Sequence, residues 1–426
     1  MDLRKDDTWL FNASHELHFH QGHLQSWNTA VFGSFVEHLM DNLLKPLHPR
    51  TINAETDAST YNAGARTEGT WLFENGRLFT GADLRIEGAD GTRVREFLMG
   101  PNAGSIFKDN AWQKGHIHKA GLFAEYQLNT DLFQYIFSGR LELNMADIND
   151  PSDEFTQVYP ETGSNQINPN ASIGMIKRIG DAVKTGVWAG RAQRSGSLTE
   201  RYINYFPVGQ DPYEMLGNPA LQPEVNNQLD LTFEWSGEHT HVDVDLFASY
   251  MQHYISSFVD TTLVPRLPAS PGVRQYVNIN EAARAGFEIN WTLQLPFNLQ
   301  HHLGIAYTYA QDLEKNEPLP EVAPFDLRYT LKGSYFADKL LPEITFRHVT
   351  EQSRISTEFG ETVTPAFSLV DLKLSVRPAR MIRLSIGVNN LLDVAYYEHL
   401  SRSVRGTTDP IYATGRVLTG SLNLSF

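Results

Sequence analysis

From Leu229 onward the chain alternates. Leu229, Leu231, Phe233 and Trp235 take one side of a two-residue repeat; Asp230, Thr232 and Glu234 take the other. A period of two predicts a strand with one apolar and one polar face. The pattern recurs. Ile382, Leu384, Ile386 and Val388 oppose Arg383, Ser385, Gly387 and Asn389. Leu418, Leu422, Leu424 and Phe426 oppose Val417, Thr419, Ser421, Asn423 and Ser425. Val370, Leu372, Leu374 and Val376 oppose Asp371, Lys373 and Ser375. Helical spacing never dominates for long, so the chain is expected to be all-β.

The connections alternate too. Short polar turns are expected near Gln21 to His23 and at Asn75-Gly76, Leu128 to Asp131, Gly180-Asp181, Gly237 to Thr240, Pro296 to Asn298, Ala337 to Lys339 and Arg377 to Met381. Between them run long segments rich in Gly, Pro, Asn and Asp, at about 86–116, 147–166, 196–223, 257–282, 311–325, 353–366 and 390–415. Loops of that length are uncommon inside compact soluble domains. Short turns on one end and long loops on the other are the wiring of a transmembrane antiparallel β-barrel. A soluble sandwich or propeller would also alternate, but its outward face is usually rich in Lys, Glu and Thr. Here the polar face mixes Gly, Ser, Asn, Asp and Arg, as a water-filled lumen would. Trp71, Trp235, Tyr250 and Trp291 stand near expected strand ends, which suits interfacial girdles.

Composition narrows the reading. The 426 residues carry a net charge of −15, so there is no basic excess for nucleic acid. Hydrophobic residues make up 41% and mean hydropathy is −0.34, and no apolar run is long enough for a transmembrane helix. Cysteine is absent, which excludes disulfides and thiolate metal sites within the chain. The opening "MDLRKDDTWLF" does not read as a signal peptide.

Four segments, in order, carry a family resemblance. "GNPALQPEVNNQLDL" resembles the Asn-Pro-x-Leu-x-Pro-Glu segment of TonB-dependent outer-membrane receptors. Residues 168–202 resemble that family's hairpin ending in Ser-Leu-x-Glu-Arg-Tyr, and "QYVNINEAARAGFEINW" its Tyr-x-Asn…Gly-x-Glu strand start. "FSLVDLKLSVRPARMIRLSIGVNNLLDVAYYEHLS" is similar to its penultimate hairpin with Asn-Leu-x-Asp-x-x-Tyr. Together they cover most of residues 117–426. The resemblance implies an outer-membrane location, lipid around the barrel, a metal or metal-chelate ligand, and the TonB complex as partner of the whole receptor.

The turn count adds an expectation. Eight short turns and a last strand give about 17 strands, against about 22 in plugged outer-membrane transporters. The first strand is expected near Thr8 to His20, with "MDLRKDD" as an outer loop. Residues 1–426 thus read as a partial barrel domain, incomplete at its N-terminal side, with no plug and no TonB box.

The ligand reading rests on residues 24–44. Ser26, Asn28, Ala30, Ser34, His38 and Met40 share one face; Trp27, Val31, Phe35 and Leu39 share the other. An imidazole and a thioether two residues apart suit soft Cu(I). "HLMDN" resembles the His-x-Met-Asp-Asn stretch of the family's copper branch, where Cys and Met from the plug complete the site. His38 and Met40 are therefore the candidate metal ligands, with copper the favoured cargo; a ferric siderophore, cobalamin, a passive porin-like channel and a soluble β-rich binding protein are the alternatives. The tract "HELHFHQGH" straddles an expected turn, and "HIHKAG" reads as the start of a strand. No nucleophile elbow, H-E-x-x-H or phosphate loop occurs, so no enzyme is expected. Asp371 and Lys373 are expected to form a lumen ion pair.

Overall fold

The structure is a computed structural model that describes residues 2–206, 212–267, 270–401 and 409–425. In chain order its elements are β1 (Asp2–His18), β2 (Leu24–Asp41), β3 (Ile52–Phe73), β4 (Gly76–Phe97), β5 (Ile106–Asn110), β6 (Gly115–Asn129), β7 (Phe133–Ile148), α1 (Asp153–Val158), β8 (Ser164–Ile179), β9 (Val183–Arg194) and α2 (Leu198–Tyr202). There follow β10 (Asn204–Phe206), β11 (Glu214–Leu216), β12 (Glu224–Ser236), β13 (Thr240–Val259), β14 (Val273–Leu295), β15 (Leu299–Asp312), β16 (Glu317–Pro318), β17 (Asp326–Gly333), β18 (Leu340–Val349), β19 (Phe367–Ala379), β20 (Ile382–Asn389) and β21 (Val417–Leu424). Four of the 21 strands among the described residues, β5, β10, β11 and β16, have five residues or fewer and decorate the loops. The other seventeen have eight or more and form one antiparallel meander, each pairing with its neighbour in the chain. Each of the eight expected turns coincides with a reversal between consecutive long strands at the same rim, although Gly76, Leu128, Asn129, Thr240 and residues 377–379 belong to the flanking strands.

The apolar face is not covered by protein. Leu229, Leu231, Phe233 and Trp235 are 41–46% exposed, and Leu418, Leu422 and Leu424 more so. A soluble β protein would bury such a row; a barrel leaves it for lipid. No described helix is long and apolar enough to cross a membrane, which says nothing about strands.

The strands outrun the bilayer. β4, with 22 residues, extends roughly 70 Å at about 3.3 Å per residue, against an apolar band of about 25 Å. This corrects two expectations. The segment taken as loop from 86 is strand up to Phe97, and "MDLRKDD" is strand from Asp2 onward. Above the bilayer both strand faces are wet, so charge no longer argues against a strand; Lys5 there pairs with Glu37 across β1 and β2 at 2.5 Å. The turn of the β3–β4 hairpin is also shifted. Glu74-Asn75 make the turn, and Gly76 opens β4 opposite Phe73. A Cβ at Gly76 would stand 2.6 Å from the Tyr126 hydroxyl, so close approach rather than turn geometry calls for glycine. Met1 and Phe426 lie outside the described residues.

Three of the resembling segments meet above the barrel wall. Ser197 caps α2: its hydroxyl accepts from Glu200 N, while the Glu200 carboxylate accepts from Ser197 N at 2.7 Å. Arg201 and Tyr202, wholly buried, follow. Arg201 donates to Asn144 Oδ1 at 2.9 Å and to Gln166 Oε1 at 2.5 Å, and Gln166 donates to the Leu221 carbonyl. Asn218 donates through its backbone to Glu200 O and through its side chain to Tyr276 O. Gln222 N donates to Asn278 Oδ1. Gly217 lies flat on this knot, where a Cβ would come within 2.5 Å of the Arg201 carbonyl. Ile117, Ala146, Ile148, Phe155, Leu216 and Val273 pack around Tyr202. Thus Ser-Leu-Thr-Glu-Arg-Tyr, Asn-Pro-Ala-Leu-Gln-Pro-Glu and Tyr-Val-Asn form one joint that ties β7, β8, β9, β12 and β14 together.

The fourth segment is also structural. Asn390 staples a turn, giving and accepting bonds with the Val394 backbone, and Asp393 accepts from Arg416 N. Tyr396 lies against Phe367, with ring centres 4.6 Å apart.

Candidate functional site

β2 rises from the short-turn rim to the long-loop end. Its pairing with β3 runs without slip from Ser26 to Asp41, so parity holds. His38 and Met40 therefore share one face. Val31 and Phe35, 42% and 45% exposed, share the other with Trp27. The apolar face being the outer wall, His38 and Met40 belong to the lumen side, near the long loops. His38 Nδ1 lies 3.4 Å from Asp6 Oδ1 on β1. Asp6 was not legible as a site neighbour, because the pairing that sets it opposite His38 depends on β1 beginning earlier than expected. Met40 stands opposite Thr56, whose buried hydroxyl has no hydrogen-bond partner. The chain just beyond is fixed in place. Asp41 accepts from Arg4 Nη1 at 3.0 Å and from Leu43 N at 2.9 Å. Arg50 donates to the carbonyls of Asn42, Leu43 and Lys45. Among the described residues no three His, Asp or Glu converge as a metal cage. His38 and Met40 are thus two donors on one wall.

Below them the lumen face carries ion pairs in tiers. Arg140 bridges Asp83 at 2.6 Å and Glu142 at 2.9 Å; Lys119 meets Glu87 at 3.1 Å; Lys184 meets Glu234 at 3.2 Å. Asp371 and Lys373 do not pair as expected. Asp371 Oδ1 instead accepts the Asn390 backbone N–H at 2.7 Å, because the Asn390 turn folds back over it. His18 is the last residue of β1 and His20 sits in the following turn, at the rim opposite His38 and Met40.

The long loops carry a second buried contact. His399 Nε2 lies 3.3 Å from Glu361 Oε1, with side chains 3% and 10% exposed. Glu361 also accepts from the Glu321 and Ser356 amides, and the Thr364 hydroxyl meets His399 Nδ1 at 2.9 Å. Burial pushes the Glu361 carboxyl up, but His399 and the two amides outweigh it and hold the group below the ordinary glutamate value. A carboxyl lowered by folding contributes stability that is complete above its unfolded pKa and is lost as pH falls through the folded one. Protease protection of residues 351–366 is therefore expected to be full at neutral pH and to fall below the glutamate range of about 4.3. Glu361→Gln should show the loosened pattern at pH 7; an unchanged pattern in both tests would refute the assignment.

A family model described as "TonB dependent receptor-like, beta-barrel" matches residues 1–391. No curated protein sequence matches. Among solved structures, "Copper transporter OprC" is similar with a TM-score of 0.84 at 18% identity, over 100% of this chain and 66% of that one. The FrpB iron transporter from Neisseria meningitidis (F3-3 variant) is similar with a TM-score of 0.69 at 14% identity, over 98% of this chain and 63% of that one. The siderophore receptor PiuA from Acinetobacter baumannii gives 0.69 at 11%, over 98% and 64%. The chain thus spans a little under two thirds of the length of the structures it resembles. At these identities the likeness speaks for the fold.

Proposed function

The chain belongs to the TonB-dependent receptor family by its β-barrel domain, and from that premise we propose that it forms the barrel wall of an outer-membrane receptor importing copper. The observation that carries the reading is the placement of His38 and Met40 on one lumen face at the long-loop end of β2. Imidazole and thioether together select a soft ion. Asp6 Oδ1 stands 3.4 Å from Nδ1 of His38; a proton held on that nitrogen would leave Nε2 with the lone pair for a metal. The similarity in shape to a copper transporter supports the same cargo. The other ligands would come from a plug contributed by polypeptide outside these residues. TonB-dependent force transfer would act on that plug, with the barrel as the fixed wall.

In a receptor that joins this barrel to such a plug, Cu(I) should bind. His38→Ala with Met40→Ala should weaken it by roughly a hundredfold or more, about 2.7 kcal/mol. Replacing His18 and His20 should change nothing, since they lie at the opposite rim. Competition against a chromophoric Cu(I) chelator measures both. Uptake of a ferric chelate, with copper affinity indifferent to His38 and Met40, would place the protein with the iron receptors and reduce the pair to lumen lining.

A further inference from the structure

β6 opens with "GHIHKAG", and its alternation is anchored by what lies inside. Ile117 is fully buried in the loop joint, and Lys119 reaches Glu87 on the lumen side. His116 and His118 must therefore point to the outer wall, in line with Leu122, which is 64% exposed. Their ring centres stand 5.3 Å apart. Met145 of β7, 47% exposed, is paired directly opposite His118. Cross-strand neighbours on one face hold their Cβ atoms about 5 Å apart, within reach of a thioether. His116 Nδ1 is buried and has no hydrogen-bond partner, an expensive state for an imidazole nitrogen. Asp147, opposite His116, accepts both the Thr162 hydroxyl and the Ile148 amide on Oδ1, and among the described residues it does not join the two rings in a three-donor cage.

We propose that His116, His118 and Met145 form a metal site on the outer wall, for a soft or borderline transition ion with Cu(I) as its best fit. The geometry is suitable. An ion about 2.0 Å from a ring nitrogen lies about 3.2 Å from the ring centre. With one nitrogen of each ring turned to a shared ion, two rings 5.3 Å apart would subtend roughly 115° there, between the trigonal and tetrahedral angles. Two imidazoles alone would accept Zn(II) as readily; the thioether favours Cu(I). The site lies on the opposite side of the sheet from His38 and Met40 and needs no plug, so it stands or falls apart from the lumen reading.

The test uses the whole chain refolded in detergent, titrated with Cu(I) against a chromophoric chelator, and separately with Zn(II). About one Cu(I) should bind per chain. His118→Asn, at an exposed position, should lower the affinity roughly tenfold or more. Met145→Leu should weaken Cu(I) while leaving Zn(II) unchanged, and should remove a sulfur scatterer from the copper X-ray absorption spectrum. His18→Ala with His20→Ala, at the short-turn rim, should leave both titrations as they were. Cu(I) should also shield His118 from diethyl pyrocarbonate. No binding by the folded chain, equal affinity in His118→Asn, equal loss of both metals in Met145→Leu, or loss on changing only His18 and His20 would each overturn the proposal.

Discussion

Leu231→Arg is expected to reduce insertion of the folded barrel by roughly 2–4 kcal/mol, and Thr232→Arg to be tolerated. The two residues are adjacent on β12, so nothing but their facing separates them. Leu231 shares the outer row with Leu229 and Phe233 and is 41% exposed, with no protein above it. It lies four residues from Trp235, roughly 10 Å up a tilted strand and hence near the middle of the apolar band. A guanidinium there must shed water or snorkel a long way. Thr232 faces the lumen, where Arg140 and Lys184 already stand among carboxylates. Urea titration of refolding into lipid vesicles, followed by tryptophan fluorescence, measures the difference. Equal losses from both substitutions would contradict the assignment of faces.

Arg201→Met should undo the loop joint while leaving the barrel wall standing. The guanidinium is fully buried and its hydrogen bonds run to two neutral amide oxygens, those of Asn144 and Gln166. Removing it orphans both acceptors, at roughly 1–3 kcal/mol each. Gly217→Val attacks the same joint from below, since its Cβ would collide with the Arg201 backbone rather than with a movable side chain. Both variants should keep the heat-modifiable migration of a folded barrel on gels, because the joint lies beyond the membrane band. Both should expose residues 195–206 and 212–223 to protease. An unchanged digestion pattern in the two variants would show that the joint is not what orders these loops.

These two sites also mark where the sequence was legible and where it was not. Inside the bilayer the physics imposes a single rule, apolar outside and polar inside, so Leu229 to Trp235 and Ile382 to Val388 could be placed by parity. The eight turns were found for a related reason: an abrupt polar break is needed wherever the chain reverses at the inner rim. Above the bilayer water wets both faces and the rule lapses. β4 from Ile86 to Phe97 and β1 from Asp2 to Asp7 were therefore read as loop. Arg201 and Gly217 stood inside segments that could be matched as patterns, but their contact depends on how 197–202, 216–222 and 276–278 fold onto one another. The candidate ligands fared similarly. His38 and Met40 share a face as their spacing required, yet Asp6 became visible only through pairing across β1 and β2. The ring contact between His116 and His118 is local, but Met145 joins them only across the strand pair.

Among the described residues β1 pairs with β2 alone and β21 with β20 alone. Each therefore presents a row of backbone amides and carbonyls with no strand beside it, and in hydrocarbon every such group left dry costs several kcal/mol. Stability then ceases to be a property of the chain by itself. Whatever lies along those two borders enters the folding equilibrium as a ligand of the native state, contributing as RT ln(1 + [L]/Kd). The midpoint of unfolding becomes a function of composition, shifting with the ratio of protein to lipid and with any strand-forming segment that seats there.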